Sequence, residues 1–509
     1  MGICMKLKVK YFDVDTLENE VILHEEDCVE LGVQEMDRVK IMAPAETMVA
    51  IVERSDSVLE RGEIGLMKDT FRGLKVKQGD TVIVSYAPKP ESVRFIRRKM
   101  DNKALTKDEI ESVVQDIVEY RLSNIEVSAW LTALYINGMS LEEIANMTNA
   151  MVKTGDTLHF ERGPVFDFHS VGGVPGNKIT PIVVSIVAEA GLLIPKTSSR
   201  AISSAAGTSD FVEVFADVDI DAMRLREIAE THGGAFTWGG SINLAPVDDI
   251  VIKVEYPLSI NPRAQMLASI MSKKKAISAD YLLIDLPTGE GTKISNIEEA
   301  RAYARDFMTL GDMLGMHVEC AITYGDQPVG SAIGPALEAR ECVRILEGDE
   351  HPSSVVEKAC ELAGMILEMG GHSNGARKAR EILDSGRALK KFREIVGAQN
   401  GNPDIKSEDI KIGEFSHEFQ APRFGYVNQI RNKDLVAVAR AAGSPHDKGA
   451  GILLRTKKGH RVEQGDTLFT IYADNEAKLQ RAVDAAKRLQ PLTIEGMLIT
   501  KIPGGVPKL

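Results

Sequence analysis

The first 86 residues carry the same hydrophobic pattern twice. The stretch NEVILHEEDCVELGVQEMDRVKI begins at Asn19 and aligns with GEIGLMKDTFRGLKVKQGDTVIV, which begins at Gly62, at a spacing of 43 residues. Apolar positions coincide in the two copies, as with Leu31 and Leu74. Neither copy could bury its apolar face alone, so the repeat predicts one pseudo-twofold β-barrel over residues 1–86. The segment has no catalytic cluster, which favours a structural or assembly module over a regulatory ligand site.

Helical periodicity follows the predicted barrel. Between residues 105 and 154, three segments place apolar side chains at helical spacing, and each starts with a Ser or Thr that has a Glu three residues later. These capping boxes pair Thr106 with Glu109, Ser123 with Glu126, and Ser140 with Glu143. They predict short helices in a lobe over 93–160, together with part of 220–250. Trp130 is expected in the core of this lobe.

From about 161 to 410, strand-like apolar runs alternate with helical ones. Two such runs, Tyr281 to Leu286 and Val318 to Tyr324, each precede a helical segment. This alternation predicts a mostly parallel sheet flanked by helices, with ligands at the carboxyl ends of the strands. Residues 415–509 predict a C-terminal α+β domain. The expected fold class is therefore multi-domain α/β, with an N-terminal barrel, a small helical lobe, an α/β body and a C-terminal α+β domain.

Two loops rich in small residues lie between positions 167 and 210. The first, HSVGGVPGNK from His169, leads into a helical run that starts at Thr180. Such a loop presents backbone amides beside the positive end of a helix dipole, which favours phosphate binding. The second, TSSRAISSAAGT from Thr197, leads in the same way into a helical run at Asp210. The sequence therefore predicts two adjacent anion sites.

Cationic side chains accompany these loops. Arg200 lies inside the second loop, where bidentate binding of phosphate is favoured over an ordinary surface ion pair. A third small-residue loop, PTGEGTK, follows Leu286 and ends at Lys293. The Ser residues of the second loop, together with Lys178 and Lys293, are candidates to bind a second phosphate group. For His169, a catalytic role and a buried structural role are both open.

Composition narrows the functional classes. The 509 residues carry a net charge of -13 and no run rich in Lys and Arg, so nucleic acid is not expected as a partner. The cysteines are odd in number and widely spaced, which indicates free thiols and no zinc site. They are Cys4, Cys28, Cys320, Cys342 and Cys360. No apolar run has the length of a membrane span and no signal peptide is evident, so we expect a cytoplasmic protein without a membrane or metal partner.

The two loop motifs together resemble a known family. HSxGG, a Thr at the next helix start and SSRAxxSAAGTSD are similar to the motifs of the nucleoside phosphorylases that include thymidine and pyrimidine nucleoside phosphorylases. The VGGVPGNKIT form and the extra N-terminal module look most like the archaeal AMP phosphorylases of that family. The resemblance extends from Met5 to the C-terminus.

This resemblance implies phosphorolysis of AMP to adenine and ribose 1,5-bisphosphate, with CMP and UMP as further substrates. It implies inorganic phosphate as co-substrate, no cofactor, a homodimer through the helical lobe and a larger assembly through the N-terminal domain. The implied catalytic positions are His169 and Asn261. The implied substrate and phosphate ligands are Ser170, Gly173, Thr180, Ser199, Arg200, Ala201, Ile202, Ser203, Ser204, Thr208, Ser269, Lys273 and Lys293.

Two positions depart from the family pattern. The purine-cleaving members carry Asp in SIDP, where it is expected to protonate the base, but this chain has Asn261. An amide can donate a hydrogen bond and cannot deliver a proton. The Arg that binds pyrimidines in thymidine phosphorylases has no counterpart here, because Val254 occupies its position beside Lys253.

Three other functions stay open at this point. A pyrimidine nucleoside phosphorylase acting on thymidine or uridine would share the fold and the reaction but need no 5′-phosphate. A phosphoribosyltransferase of the anthranilate type would share the lobe and body and would need magnesium. A non-catalytic nucleotide-binding assembly protein would use the barrel and would have lost its chemistry at Asn261.

Overall fold

The computed structural model describes residues 3–16, 18–201, 204–349 and 351–496. The chain forms two compact units. The first comprises Met1–Gly155 and Ala245–Ser272, and the second comprises Asp156–Leu244 and Lys273–Leu509. The first unit thus adds 245–272 to the helical lobe, and this segment overlaps the end of the 220–250 stretch that the sequence indicated. The finer domain bounds drawn from the sequence stay predictions.

The N-terminal strands close into a six-stranded barrel in the order β1-β5-β2-β4-β3-β6. The elements are β1 (Cys4–Phe12), β2 (Glu20–Leu23), α1 (Glu25–Leu31), β3 (Arg38–Met42), β4 (Thr47–Arg54), β5 (Glu63–Met67), α2 (Lys68–Gly73) and β6 (Thr81–Ala87). The first β-β-α-β set starts 43 residues before the second at every element. Each of the six neighbouring pairs of these strands joins one copy to the other. Leu31 and Leu74, aligned in the repeat, both lie in the barrel core.

Four helices follow the barrel: α3 (Ser92–Met100), α4 (Lys107–Val118), α5 (Asn124–Asn137) and α6 (Leu141–Lys153). The three predicted capping boxes are all present at the starts of α4, α5 and α6. Trp130 is 1% exposed, so its predicted core position is confirmed. The Arg38 side chain of β3 pairs with Glu126 and donates to the Arg121 carbonyl at 2.7 Å, which ties the barrel to this lobe.

Strands and helices alternate through the next part of the chain. The elements are β7 (Phe166–Ser170), α7 (Thr180–Glu189), β8 (Ile194–Ser198), α8 (Thr208–Val212), α9 (Ala222–His232), β9 (Gly234–Trp238), α10 (Pro246–Leu258), α11 (Arg263–Ala276), β10 (Tyr281–Thr288), α12 (Ile297–Leu314), β11 (His317–Tyr324), β12 (Ala332–Ile333), α13 (Pro335–Leu346), α14 (Ser353–Met369), α15 (Gly375–Asp384) and α16 (Arg387–Ala398). Helix α10 and the start of α11 belong to the first unit. Strands β11, β10 and β7 pair in parallel, as do β8 and β9, and a parallel bridge from Val165 to Leu193 links the two groups.

The C-terminal elements are β13 (Phe415–Gln420), β14 (Gly425–Ile430), α17 (Asn432–Ala442), β15 (Gly451–Leu454), β16 (Arg461–Val462), β17 (Thr467–Ala473), α18 (Glu476–Leu489) and β18 (Leu492–Glu495). Antiparallel sheets form in the orders β12-β15-β17-β13 and β16-β14-β18. Strand β12 precedes this region, so one sheet joins it to the body. Helices α17 and α18 pack on these strands and complete an α+β core.

Helix α7 sits at the centre of the body core. Its sequence, TPIVVSIVAE, is apolar on every side, and such a helix is stable only when it is surrounded by other elements. Helices α13, α14 and α16 supply further members of this core, including Val343, Ile366 and Phe392. The amino end of α7 is thereby fixed directly after the first small-residue loop. None of the described helices combines the length and apolarity that a membrane span requires.

Candidate active site

The first loop leaves strand β7 at its carboxyl end, where His169 and Ser170 lie. In parallel strands these residues pair with Ile284 and Asp285 of β10. The Ser170 hydroxyl donates to Asp285 Oδ2 at 2.7 Å. The predicted α7 starts at Thr180 with Pro in its first turn, as the sequence indicated. This loop therefore lies at the sheet edge where parallel α/β folds bind ligands.

Asp285 is fully buried and organises the carboxyl ends of three strands. Besides Ser170, its carboxylate accepts a hydrogen bond from the Thr323 hydroxyl of β11 at 2.5 Å. The Lys358 ammonium of α14 lies 2.8 Å from Asp285 Oδ2 and neutralises it. A buried carboxylate with a cation and two hydroxyl donors is well satisfied. Asp285 thus fixes the orientation of the Ser170 hydroxyl.

Gly173 allows the third loop to pack against the first. A Cβ atom at this position would lie 2.8 Å from the Lys293 amide nitrogen and 3.1 Å from Thr292 Cα. Its φ of +111° also lies in the region that favours glycine. The two predicted small-residue loops therefore touch backbone to backbone, and Lys293 is carried to the first loop.

A positive cluster surrounds His169. Burial lowers the pKa of the imidazole well below its usual value, and four lysines lower it further. They are Lys274, Lys196, Lys273 and Lys293, in order of effect. The imidazole is therefore neutral at neutral pH. It can donate or accept a hydrogen bond there, but it does not act as a cation.

Two of these lysines share the carboxylate of Asp167. Lys274 Nζ donates to Asp167 Oδ2 at 2.6 Å, and Lys196 Nζ lies 3.4 Å from Asp167 Oδ1. All three side chains are nearly fully buried. Burial lowers the pKa of Lys196 to about 7, although the charge of Asp167 opposes this change. The local balance is positive, which suits an anionic ligand beside His169.

The second loop is held by acceptors of its own chain. The Asp210 carboxylate accepts hydrogen bonds from the amides of Ala201 at 2.7 Å and Gly207 at 2.8 Å. The helix that follows, α8, begins at Thr208 and has five residues. The sequence placed its start at Asp210, but Asp210 instead closes the loop as a capping residue. Two amides of the expected anion site are therefore already engaged.

Arg200 is also engaged within the protein. Its guanidinium donates to both oxygens of Glu213, at 2.9 and 2.6 Å, and lies 5.0 Å from the ring centroid of Trp238. The hydrogen bond from Arg200 lowers the pKa of Glu213 to about 2, and Lys448 contributes through a 2.7 Å ion pair. Two of the five N–H donors of the Arg200 guanidinium are therefore taken up by Glu213, and a phosphate would compete with this carboxylate for its charge.

The other ligands expected in the second loop lie at its surface or partly covered. Ser199 is exposed, and Ser204 and Thr208 are half-buried. The Ser204 hydroxyl donates to the Ala206 carbonyl at 3.1 Å. Ile202 and Ser203 lie outside the described residues. The loop lies against the C-terminal elements, because Arg440 donates to the Ser204 carbonyl at 3.2 Å.

Lys178 does not serve the anion site that the sequence suggested for it. Its side chain is fully buried, and its ammonium donates to Glu341 at 2.6 Å and to the Val329 carbonyl at 2.9 Å. The interaction partner, 163 residues away, removes this cation from the candidate ligands. Lys178 instead anchors the first loop to α13 and to the segment before it.

Three of the positions implied by the resemblance fall in both compact units. Asn261 and Ser269 belong to the first unit, and Lys273 belongs to the second. Ser269 and Lys273 are both on α11, four residues apart and thus on one face. Asn261 is exposed, and its side-chain amide donates to Met266 Sδ at 3.5 Å.

Family models and similar proteins agree on one assignment. The helical bundle domain of a glycosyl transferase family matches residues 93–155, its a/b domain matches 162–389, and the pyrimidine nucleoside phosphorylase C-terminal domain matches 426–492. AMP phosphorylases from Methanococcoides burtonii and Thermococcus kodakarensis are each 50% identical to the chain. That from Pyrococcus furiosus is 49% identical, and each alignment spans 98% of this chain and 99% of the relative.

The chain belongs to the AMP phosphorylase family. Its fold is also similar to that of anthranilate phosphoribosyltransferase from Thermus thermophilus, with a TM-score of 0.52. That likeness covers 60% of this chain and 99% of the other, at 20% identity. It concerns the fold alone.

Several charged residues around the loops of this protein were not predicted from the sequence. They are Asp167, Lys196, Lys274, Asp285, Lys358, Glu213 and Lys448. Asp167 offered a weak signal, because it precedes the HSxGG motif in a strand that should be apolar. Asp285 offered the same signal in β10. The lysines on α11 and α14 offered none, since their partners lie 107 and 73 residues away along the chain.

Proposed function

We propose that the chain catalyses the phosphorolysis of AMP to adenine and ribose 1,5-bisphosphate, and that CMP and UMP are further substrates. The observation that carries the proposal is the positive cluster around His169, set on a glycine loop at the start of α7. Four lysines with Asp167 among them suit a site for a phosphate dianion. The family relatives of this length are named for the same substrate and reaction class.

The reaction breaks the bond from C1′ of the ribose to the base and forms a bond from C1′ to a phosphate oxygen. Phosphate is already anionic at neutral pH, so the protein must position it more than deprotonate it. Ser170, with its hydroxyl set by Asp285, and the amides of the first loop are the proposed phosphate ligands. Neutral His169 is proposed to hydrogen-bond the substrate, with Lys273 and Lys293 supplying positive charge. Ser269 is proposed to bind the base.

The base departs with the bonding electron pair and requires a proton or a hydrogen bond. Asn261, in the position where the purine-cleaving enzymes that the chain resembles carry Asp, can supply only the hydrogen bond. Proton transfer is therefore the step at which this chain should be slowest, and no metal or cofactor enters the proposed reaction.

A test follows from this position. Adenine and ribose 1,5-bisphosphate are measured from AMP and phosphate in the presence of EDTA, with the native chain and Asn261→Asp side by side. We expect product from both, with kcat about 100-fold higher for Asn261→Asp, as general-acid catalysis typically provides. An Asn261→Ala control separates the proton from the hydrogen bond, and it should be slower than the native chain.

The same assay separates the alternatives. Cleavage of uridine or thymidine with no product from AMP would contradict the proposal and favour a nucleoside phosphorylase. No product from AMP and phosphate, together with turnover of phosphoribosyl pyrophosphate that EDTA abolishes, would favour a phosphoribosyltransferase. Saturable AMP binding without adenine release from either variant would favour the non-catalytic binding protein.

We also propose a cytoplasmic homo-oligomer without a nucleic acid or membrane partner. Helix α5 supports a dimer through the helical lobe, because Ile125, Tyr135 and Ile136 on it are all more than half exposed. The barrel is proposed to join dimers into a larger assembly. Its exposed apolar side chains include Val29 and Tyr86.

A further inference from the structure

A cavity lies within the second compact unit, apart from the small-residue loops. Its volume is ≈ 1070 Å³, and we call it the α14 cavity because this helix forms one wall. The opposite walls are the end of β11, the segment 327–331 and the segment 454–457. Lining residues on α14 run from Ser353 to Met365, which at the helical rise corresponds to roughly 18 Å. The space is large enough for a nucleotide.

One end of the α14 cavity is cationic. Lys457 Nζ donates to the carbonyls of Pro328 and Gly330. The Gly330 amide in turn donates to the hydroxyl of Ser354, in the first turn of α14, at 3.2 Å. A lysine ammonium and the amino end of a 17-residue helix therefore meet at one glycine. Arg455 lines the same region and is exposed.

Two features of this end suit an anionic ligand. Thr456 lines the cavity and is 5% exposed, and its hydroxyl has no hydrogen-bond partner among the described residues. Lys457 has carbonyl partners but no carboxylate within ion-pair distance in the described part of the chain. Burial lowers the pKa of Lys457 to about 7. A bound anion would stabilise the charged ammonium and could accept from the hydroxyl.

The other end of the cavity suits a ring system. Ile322, Leu362 and Met365 provide apolar surface, and Tyr324, which is 58% exposed, also lines the cavity. Glu361 lines the same stretch of α14. An apolar wall with an exposed carboxylate accommodates an aromatic heterocycle that carries an amino group.

We propose that the α14 cavity is a second nucleotide-binding site, distinct from the candidate active site. The phosphate lies against Lys457, Arg455 and the amino end of α14. The base lies against the apolar wall, with its amino group toward Glu361. Lys358 and Thr323 also line this cavity, and both bind Asp285, which orients Ser170. A ligand in the α14 cavity would therefore lie beside the contacts around Asp285 that support the first loop.

The test counts bound AMP per chain by equilibrium dialysis of the full-length protein without phosphate, so that no turnover occurs. The native chain should bind two AMP, one in the candidate active site and one in the α14 cavity. Arg455→Glu should weaken the second site by at least about tenfold, as loss of a charge-assisted hydrogen bond does, and leave one AMP. Lys411→Glu, an equal charge change at another exposed position, should keep both. Glu357→Gln removes a negative charge from the lining and should tighten the second site.

The outcomes distinguish this inference from the proposed function. One AMP per chain in the native protein and in Arg455→Glu would overturn the second site and leave the proposed function intact. Two AMP in both proteins would also overturn it, since Arg455 would then play no part. One AMP in the native chain and none in Arg455→Glu would support the α14 cavity while removing AMP from the candidate active site. Unchanged AMP phosphorolysis by Arg455→Glu would show that the variant is folded.

Discussion

Lys196 is a buried amine beside Asp167, and its charge depends on pH close to neutrality. Its pKa is lowered from 10.5 to about 7 in the folded protein, first of all by burial. Between these two values the unfolded chain binds more protons than the folded one. This lysine therefore makes the folded state progressively more stable as pH rises from about 7 to 10.5. Below pH 7 both states are protonated, and its unfavourable contribution is constant.

Replacement of Lys196 by Met should remove this pH dependence. We expect the increase in the free energy of unfolding between pH 7.5 and 9.5 to be smaller than in the native chain by about 1 to 2 kcal/mol. Urea unfolding at the two pH values measures the difference. Lys433→Met, at an exposed position, is the matched control and should leave the pH dependence intact. Equal pH dependence in the native chain and Lys196→Met would show that Lys196 is charged throughout.

The ion-pair partners of individual charged residues could not be predicted from the sequence. Arg200 and Lys178 were recognised as cations near phosphate loops, but the sequence did not identify their ion partners, Glu213 directly after α8 and Glu341 on α13. A local pattern reveals a charge and its secondary structure. It does not reveal which distant carboxylate will neutralise that charge once the core closes. The same reason hid Lys358, whose partner is in β10.

Secondary-structure elements were more accessible to prediction. The capping boxes of α4, α5 and α6 and the apolar run of α7 are local signals that packing reinforced. The start of α8 was not predicted correctly, because Asp210 acts as a capping side chain for the loop. The 43-residue repeat located the barrel, since identical apolar spacing must serve the same topology in both copies.

The contact between the first and third loops allows a sharp comparison of two neighbouring glycines. At Gly173 a Cβ would meet the backbone of Lys293 at 2.8 Å, whereas at Gly172 nothing lies within 4 Å. Gly173→Ala should therefore separate the loops and raise KM for phosphate at least about tenfold, given 1 to 3 kcal/mol of backbone strain. Gly172→Ala should remain close to the native chain in the same initial-rate assay. Similar KM values for the two variants would show that this loop contact does not shape the phosphate site.

At the scale of the whole molecule, the exposed face of α5 bears on assembly. Ile136 is 72% exposed on this helix, and Met223 is 73% exposed on α9 of the other unit. If dimers form through the helical lobe, Ile136→Glu should shift the protein to monomers, because a charge would be buried without a partner. Met223→Glu places the same charge on an equally exposed apolar residue and should not. Light scattering after size exclusion measures the molar mass of both variants. If Ile136→Glu remained a dimer, the interface would lie elsewhere.

The barrel at the amino end is an interwoven structure, and this has a consequence for its two halves. All six strand pairs described there connect the first copy with the second, so a chain that ends in the turn at 43–46 has no strand of its own to pair with. A peptide of residues 1–43 should therefore be unstructured alone. It should fold when it is mixed with the remainder of the chain. Circular dichroism measures this complementation, because the mixture should show more β-sheet signal than the sum of its two parts. During synthesis, likewise, the first copy must wait for the second before either has a sheet.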